Sequence, residues 1–130
     1  MTIFTKIING EIPSYKIAEN EKFYAFLDIN PLVEGHTLVI PKIEVDKFFD
    51  MPAEYLKEIF LFAKPIADSI EKTFDCNRCG LSVVGIEVPH AHMHLVPLNS
   101  AGDLNFTRKK LSLPAERMKE IQEKILGNLD

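Results

Sequence analysis

Three of the four histidines stand at alternate positions in the stretch Val88-Pro89-His90-Ala91-His92-Met93-His94-Leu95-Val96-Pro97, and the fourth, His36, lies far upstream. In a strand, residues two apart point to one face, so His90, His92 and His94 share a side while Ala91, Met93 and Leu95 take the other. The small and apolar set suits a face packed on a core, which leaves the imidazoles toward a cleft or solvent. A buried imidazole needs hydrogen-bond partners and tends to lose its charge, so three in register are poor ordinary core material. A solvated edge or a polar network without chemistry is the plain alternative. Clustered titratable groups nevertheless mark functional sites often enough to favour chemistry here.

Two chemistries compete. With about 3.3 Å of rise per residue, neighbouring histidines are roughly 7 Å apart and the outer two about 13 Å, so one metal ion reaches an adjacent pair but hardly all three. A further carboxylate or His would have to complete its sphere. Nucleophilic catalysis explains the alternation better: a neutral imidazole nitrogen attacks phosphorus while flanking rings fix its tautomer, donate to phosphate oxygens and stabilise developing charge. His92 is the natural nucleophile, because it alone has a histidine on both sides.

The elements that must position these groups follow from pattern. Residues 22–28, "KFYAFLD", form an aromatic-rich strand that ends at the turn "INPLVEGH", and "HTLVIPK" is a second strand closed by Pro41. From Pro52 to about Phe74 apolar residues recur at spacings of three and four, which predicts one long helix bent at Pro65. "CGLSVVGIEVPH" and "AHMHLVPL" read as two extended segments, with Pro89 at a strand end or bulge. After Pro114, Met118, Ile121 and Ile125 share a face and predict a short terminal helix. A helix-poor start, strands, a long helix, strands and a terminal helix show no βαβ alternation, so an α+β fold with an antiparallel sheet is expected, within a single domain spanning 1–130.

Composition narrows the function. Apolar residues make up 46% and charged residues 26% of the 130, the balance of an ordinary folded chain. The net charge of −4 gives no general attraction for nucleic acid, and Lys109-Lys110 is too short a run to supply one. No leader-like segment or membrane span is visible, so a cytoplasmic protein is expected. Cys76 and Cys79 form a lone Cys-x-x-Cys, read as reduced thiols beside a turn. No phosphate-binding glycine loop is present.

"HAHMHLVP" fits the His-apolar-His-apolar-His-apolar-apolar signature of the histidine-triad (HIT) nucleotide-binding family. "IFTKIINGEIPSYKIAENEKFYAFLDINP" resembles that family's N-terminal half, and "GHTLVIPK" resembles the strand that follows. The resemblance implies a five-stranded antiparallel sheet, a homodimer whose sheet continues across the interface, and hydrolysis or transfer at the α-phosphate of a purine nucleotide conjugate through a nucleotidyl-histidine intermediate. On this chain it makes His92 the nucleophile, with His90 and His94 supporting it and contacting phosphate, and His36 completing the set. Asp28 would accept hydrogen bonds from the ribose with Ile29 beside it, and Phe4, Ile7 and Phe26 would wall the base. Asp28 before Ile-Asn-Pro also reads simply as a turn cap. No cofactor is called for, and neither nucleic acid nor a membrane is expected as a partner.

Two departures from the family pattern stand out. Many members hold a structural zinc with an N-terminal Cys-x-x-Cys and a later His. Here those positions are Thr2, Thr5 and about Glu44, and hydroxyls cannot replace thiolates. Members often carry Gly-Gln before the triad, whereas this chain has a short loop with Ile86 at the Gln position and Glu87 after it. Isoleucine donates no hydrogen bond and a nearby carboxylate repels phosphate. Ser82 and backbone N–H groups are the candidates to compensate. A nucleotide-binding protein with little turnover, and a metal-dependent enzyme using the histidine cluster, therefore remain as rival readings.

Overall fold

The computed structural model describes residues 1–129. Five antiparallel strands form one sheet in the order β1-β2-β3-β5-β4. They are β1 Lys16–Glu19, β2 Phe23–Leu27, β3 Thr37–Pro41, β4 Arg78–Ser82 and β5 Met93–Leu98. The helices are α1 Ile3–Ile8, the long α2 Ala53–Thr73 and the terminal α3 Ala115–Gly127. This is the expected α+β fold. Among the described residues, no helix is long and apolar enough to cross a membrane.

Strands β2 and β3 are buried at every position, in the middle of a sheet with helices packed on both faces. Alternation divides their side chains. Phe23, Ala25, Leu27 and Val39 pack with Ile59, Ala63, Ile66 and Ile70 of α2 and with Met118, Ile121 and Ile125 of α3. Tyr24, Phe26, Leu38 and Ile40 face the other way and pack with Phe4 of α1. The two large helices are joined by the Ser69 hydroxyl, which donates to the carbonyl of Ile125 at 2.6 Å. The loop into β3 is joined to α3 by Arg117, whose guanidinium donates to both oxygens of Glu34 at 2.9 and 2.6 Å. Just after it, Gly35 adopts φ +95°, and the Phe74 ring occupies the space where a Cβ would project. Glycine is required there on both counts.

Several expectations change. The start is not helix-poor: it carries α1, where the Thr2 hydroxyl caps the first turn by accepting from Thr5 N–H at 3.0 Å, and it is followed by β1. Pro65 does lie inside the single long helix α2, as expected. Of the pre-triad segment only Arg78–Ser82 is strand; residues 83–92 run as a loop, with Gly85 at φ +69° and Pro89 outside any ladder. The three histidines therefore do not sit in one regular strand. His94 alone is in β5, opposite Leu38 and Ser82, while His90 and His92 lie on the approach to it.

Candidate active site

The face shared by Phe26, Leu38 and His94 opens into a cleft of about 600 Å³ between α1, the 83–88 loop and the segment after β5. Phe4, Ile7 and Phe26 form an apolar wall, with Asp28 and Ile29 at the turn that follows β2. His36, His92 and His94 reach the same space. The opposite register, Ala91, Met93 and Leu95, is fully in the core, as the alternation requires. His90 is the exception among the expected site residues. It is 0% exposed and is not among the residues that line the cleft.

Hydrogen-bond partners fix the tautomer of every histidine. A carbonyl only accepts, so His92 Nδ1–H donates to His90 O at 2.7 Å. That leaves Nε2 of His92 with its lone pair free, on a ring that lines the cleft. The backbone N–H of Leu32 donates to His36 Nδ1 at 3.0 Å, so the ring hydrogen of His36 is on Nε2, and it donates to His94 Nδ1 at 2.9 Å. His94 in turn carries its hydrogen on Nε2 as a donor. The rings of His92 and His94 meet edge to face at 5.0 Å, and Phe4 meets His92 at 5.2 Å. Such contacts hold a ring at a fixed angle without using its nitrogens.

Burial keeps the supporting rings uncharged. It lowers the pKa of His36 to about 4 and of His94 to about 3, with Lys110 and the neighbouring rings adding to the effect. Burial also lowers His90 from its ordinary value, against the opposing pull of the Pro41 carbonyl. Asp28 is raised by desolvation. One of its oxygens accepts from Asn30 N–H at 2.9 Å, so the turn-capping role is real, while the other stands 3.7 Å from His36 Nε2. With His36 neutral, that approach is not an ion pair.

Asp28, His36 and His94 are also the one group among the described residues whose ligand atoms gather closely enough for a metal ion. The donor set does not fit. Leu32 N–H occupies the lone pair of His36 Nδ1, so Nε2 holds a hydrogen where an ion would need a lone pair.

A family model described as the HIT domain matches residues 9–101. The chain belongs to the HIT family. Within it, an uncharacterized HIT-like protein of Borreliella burgdorferi is 36% identical over 135 residues, covering 98% of this chain and 97% of that protein. An adenosine 5'-monophosphoramidase of Saccharomyces cerevisiae is 43% identical over 96 residues, which is 73% of this chain and 61% of the yeast protein. The crystal structure of a HIT-like protein involved in cell-cycle regulation from Bartonella henselae, solved with an unknown ligand, superposes with a TM-score of 0.85 at 30% identity, covering 98% of this chain and 96% of that one.

Against this HIT background the departures acquire structure. Thr2, Thr5 and Glu44 meet His90 in one network. The Thr2 hydroxyl donates to His90 Nδ1 at 2.7 Å, and His90 Nε2–H donates to Pro41 O at 2.8 Å. The Thr5 hydroxyl and the Thr2 N–H both donate to Glu44 Oε1, at 2.6 and 2.7 Å. Every donor in the set has an acceptor, so the first HIT histidine and α1 are bound together through hydroxyls and a carboxylate. Ile86 is 84% exposed on the cleft rim and offers no donor, with Glu87 beside it. Ser82 shares the His94 face but does not line the cleft.

Phe106 and Lys110 are among the cleft residues that sequence reasoning did not single out. Phe106 meets His94 edge to face at 4.6 Å, and Lys110 lines the same side. Both follow the motif in an irregular segment, where neither periodicity nor spacing sets one aromatic or one lysine apart from its neighbours. Cys76 and Cys79 are free thiols away from the cleft, and burial pushes Cys79 up to about 12.

Proposed function

We propose that the chain binds a purine nucleotide conjugate and cleaves it at the α-phosphate through a nucleotidyl-His92 intermediate. The observation that carries this reading is the tautomer of His92: Nδ1–H is held by a carbonyl, which leaves the Nε2 lone pair free on a ring that lines the cleft. The reading is also supported by the yeast relative, named an adenosine 5'-monophosphoramidase. Asp28 takes the ribose hydroxyls, and Phe4, Ile7 and Phe26 enclose the base.

In the first step His92 Nε2 forms a bond to phosphorus as the bond to the leaving group breaks. The leaving group carries away the electron pair and takes its proton from water. The ring becomes a phosphorylated imidazolium, and the carbonyl of His90 stabilises the positive charge through Nδ1–H. His94 Nε2–H donates to phosphate oxygen, its ring held by His36. In the second step water attacks phosphorus, the P–N bond breaks with its electron pair returning to Nε2, and the proton lost by that water neutralises the hydroxide left in the first step, so nucleoside monophosphate leaves as His92 returns to its neutral form.

The rival reading, a nucleotide-binding protein with little turnover, is favoured by Ile86 and Glu87 on the rim. Incubation with adenosine 5'-phosphoramidate and a diadenosine polyphosphate, with and without chelator, decides between them. Release of AMP that persists with chelator, with a nucleotidyl adduct on the His92 peptide and both lost in His92→Ala, is expected. Binding without turnover would establish the rival.

We further propose a cytoplasmic homodimer joined through β4. That strand is a sheet edge, and Leu81, Val83 and Val84 on and just after it are exposed. Unpaired edges flanked by apolar side chains favour pairing with a second strand.

A further inference from the structure

We propose that Lys110 is the cation that meets the substrate's phosphate in this cleft and makes it discriminate nucleotides from nucleosides, a role that rests on the nucleotide reading of the site. The charge balance of the walls motivates it. The ionisable groups there are two carboxylates, Asp28 and Glu87, three histidines and Lys110. His36 and His94 are held neutral by burial, and the nucleophile His92 must present a lone pair, so the rings that act in the cleft bring no positive charge. A phosphate entering among carboxylates needs a compensating cation, and Lys110 is the one cleft-lining residue that carries a permanent positive charge. On the opposite rim, Ile86 supplies no donor.

Lys110 is also free to act. Among the described residues no carboxylate lies within ion-pair distance of its ammonium, although its field reaches Asp28, His36 and His94. Its backbone is anchored next door, where Leu111 N–H donates to Pro31 O at 2.8 Å, and Phe106 packs on His94 at 4.6 Å. The half-buried Lys110 lines the cleft together with His36, His92 and His94, whereas the adjacent Lys109 is exposed and does not line it. Residues 106–111 lie outside the 9–101 stretch that the HIT model matches.

Calorimetric titration with AMP and with adenosine tests the assignment on the wild type, Lys110→Ala, Lys110→Gln, Lys110→Arg and Lys109→Ala. The expected result is that Lys110→Ala and Lys110→Gln lose AMP affinity by about tenfold or more, the range of a charge-assisted hydrogen bond. Adenosine affinity should stay within about twofold in both, since the base and ribose contacts are intact. Lys110→Arg should keep most of the AMP preference and Lys109→Ala all of it. If both neutral variants bind AMP as well as the wild type, the assignment to Lys110 is overturned while the nucleotide site stands. Equal loss of both ligands in both variants would mean a structural role and would overturn it too. Failure of the wild type to bind AMP would overturn both this inference and the reading beneath it.

Discussion

In the proposed mechanism His92 owes its reactivity to what its neighbours forbid. Its Nδ1 cannot present a lone pair while His90 O accepts from it, so nucleophilicity is confined to Nε2. Replacement by Ala should lower turnover by roughly a thousandfold or more without changing the fold, checked by product release beside a circular-dichroism spectrum. His36→Ala should act differently. It strips the acceptor from Leu32 N–H and the donor from His94 Nδ1, and each buried orphan costs about 1–3 kcal/mol. Stability and activity should therefore fall together, seen as a lower urea midpoint.

The same two rings set an acid limb. His36 and His94 titrate at about 4 and about 3 when folded but near 6.5 when unfolded, so below 6.5 the unfolded chain binds more protons. Their contribution to stability is complete above pH 6.5 and declines as pH falls toward 4. Urea titrations across that window should show the midpoint dropping, and a flat profile would contradict the neutral assignment. Little of this was legible in the sequence. Alternation correctly sent Ala91, Met93 and Leu95 to the core, but the partner of His90 is Thr2, which no local pattern connects to it.

Among the elements, α1 shows how position depends on distant contacts. Six residues are too few for a helix to persist alone, since nucleation is costly and propagation brief. It is held by its own cap, by Phe4 packed on Phe26 at 5.5 Å, and by Glu44 gripping Thr2 and Thr5. Glu44→Ala should loosen α1, raising hydrogen exchange over residues 3–8 and lowering kcat/KM several-fold, because Phe4 of that helix both lines the cleft and meets the His92 ring. The Thr5 hydroxyl, then the Thr2 N–H, hold the Glu44 carboxyl below its ordinary value of 4.5. The grip is accordingly intact above pH 4.5 and released as pH falls below it. Gly35→Ala should destabilise the entry to β3 by about 1–3 kcal/mol from backbone strain, with the Phe74 contact adding to it; thermal denaturation measures the loss. The long helix and the central strands could be read from periodicity because their burial is regular. Helix α1 and β1 could not, because tertiary contacts outweigh their weak local signals.

At the scale of the molecule, α2 and α3 cover one face of the sheet, while α1 covers only part of the other, and the uncovered remainder is the cleft. The cleft draws residues from both ends of the chain: Phe4, then 26–38, 84–94 and 106–110. The 83–88 loop serves two surfaces at once. It begins with the exposed Val83 and Val84 at the β4 edge and continues through Ile86 to Val88 on the cleft rim. An edge-to-edge dimer would restrain one end of that loop and so the wall at its other end. Association and substrate affinity would then be linked by mass action, each strengthening the other. Diluting the protein through its dimer dissociation constant should lower specific activity, and saturating nucleotide should shift the monomer–dimer equilibrium toward the pair.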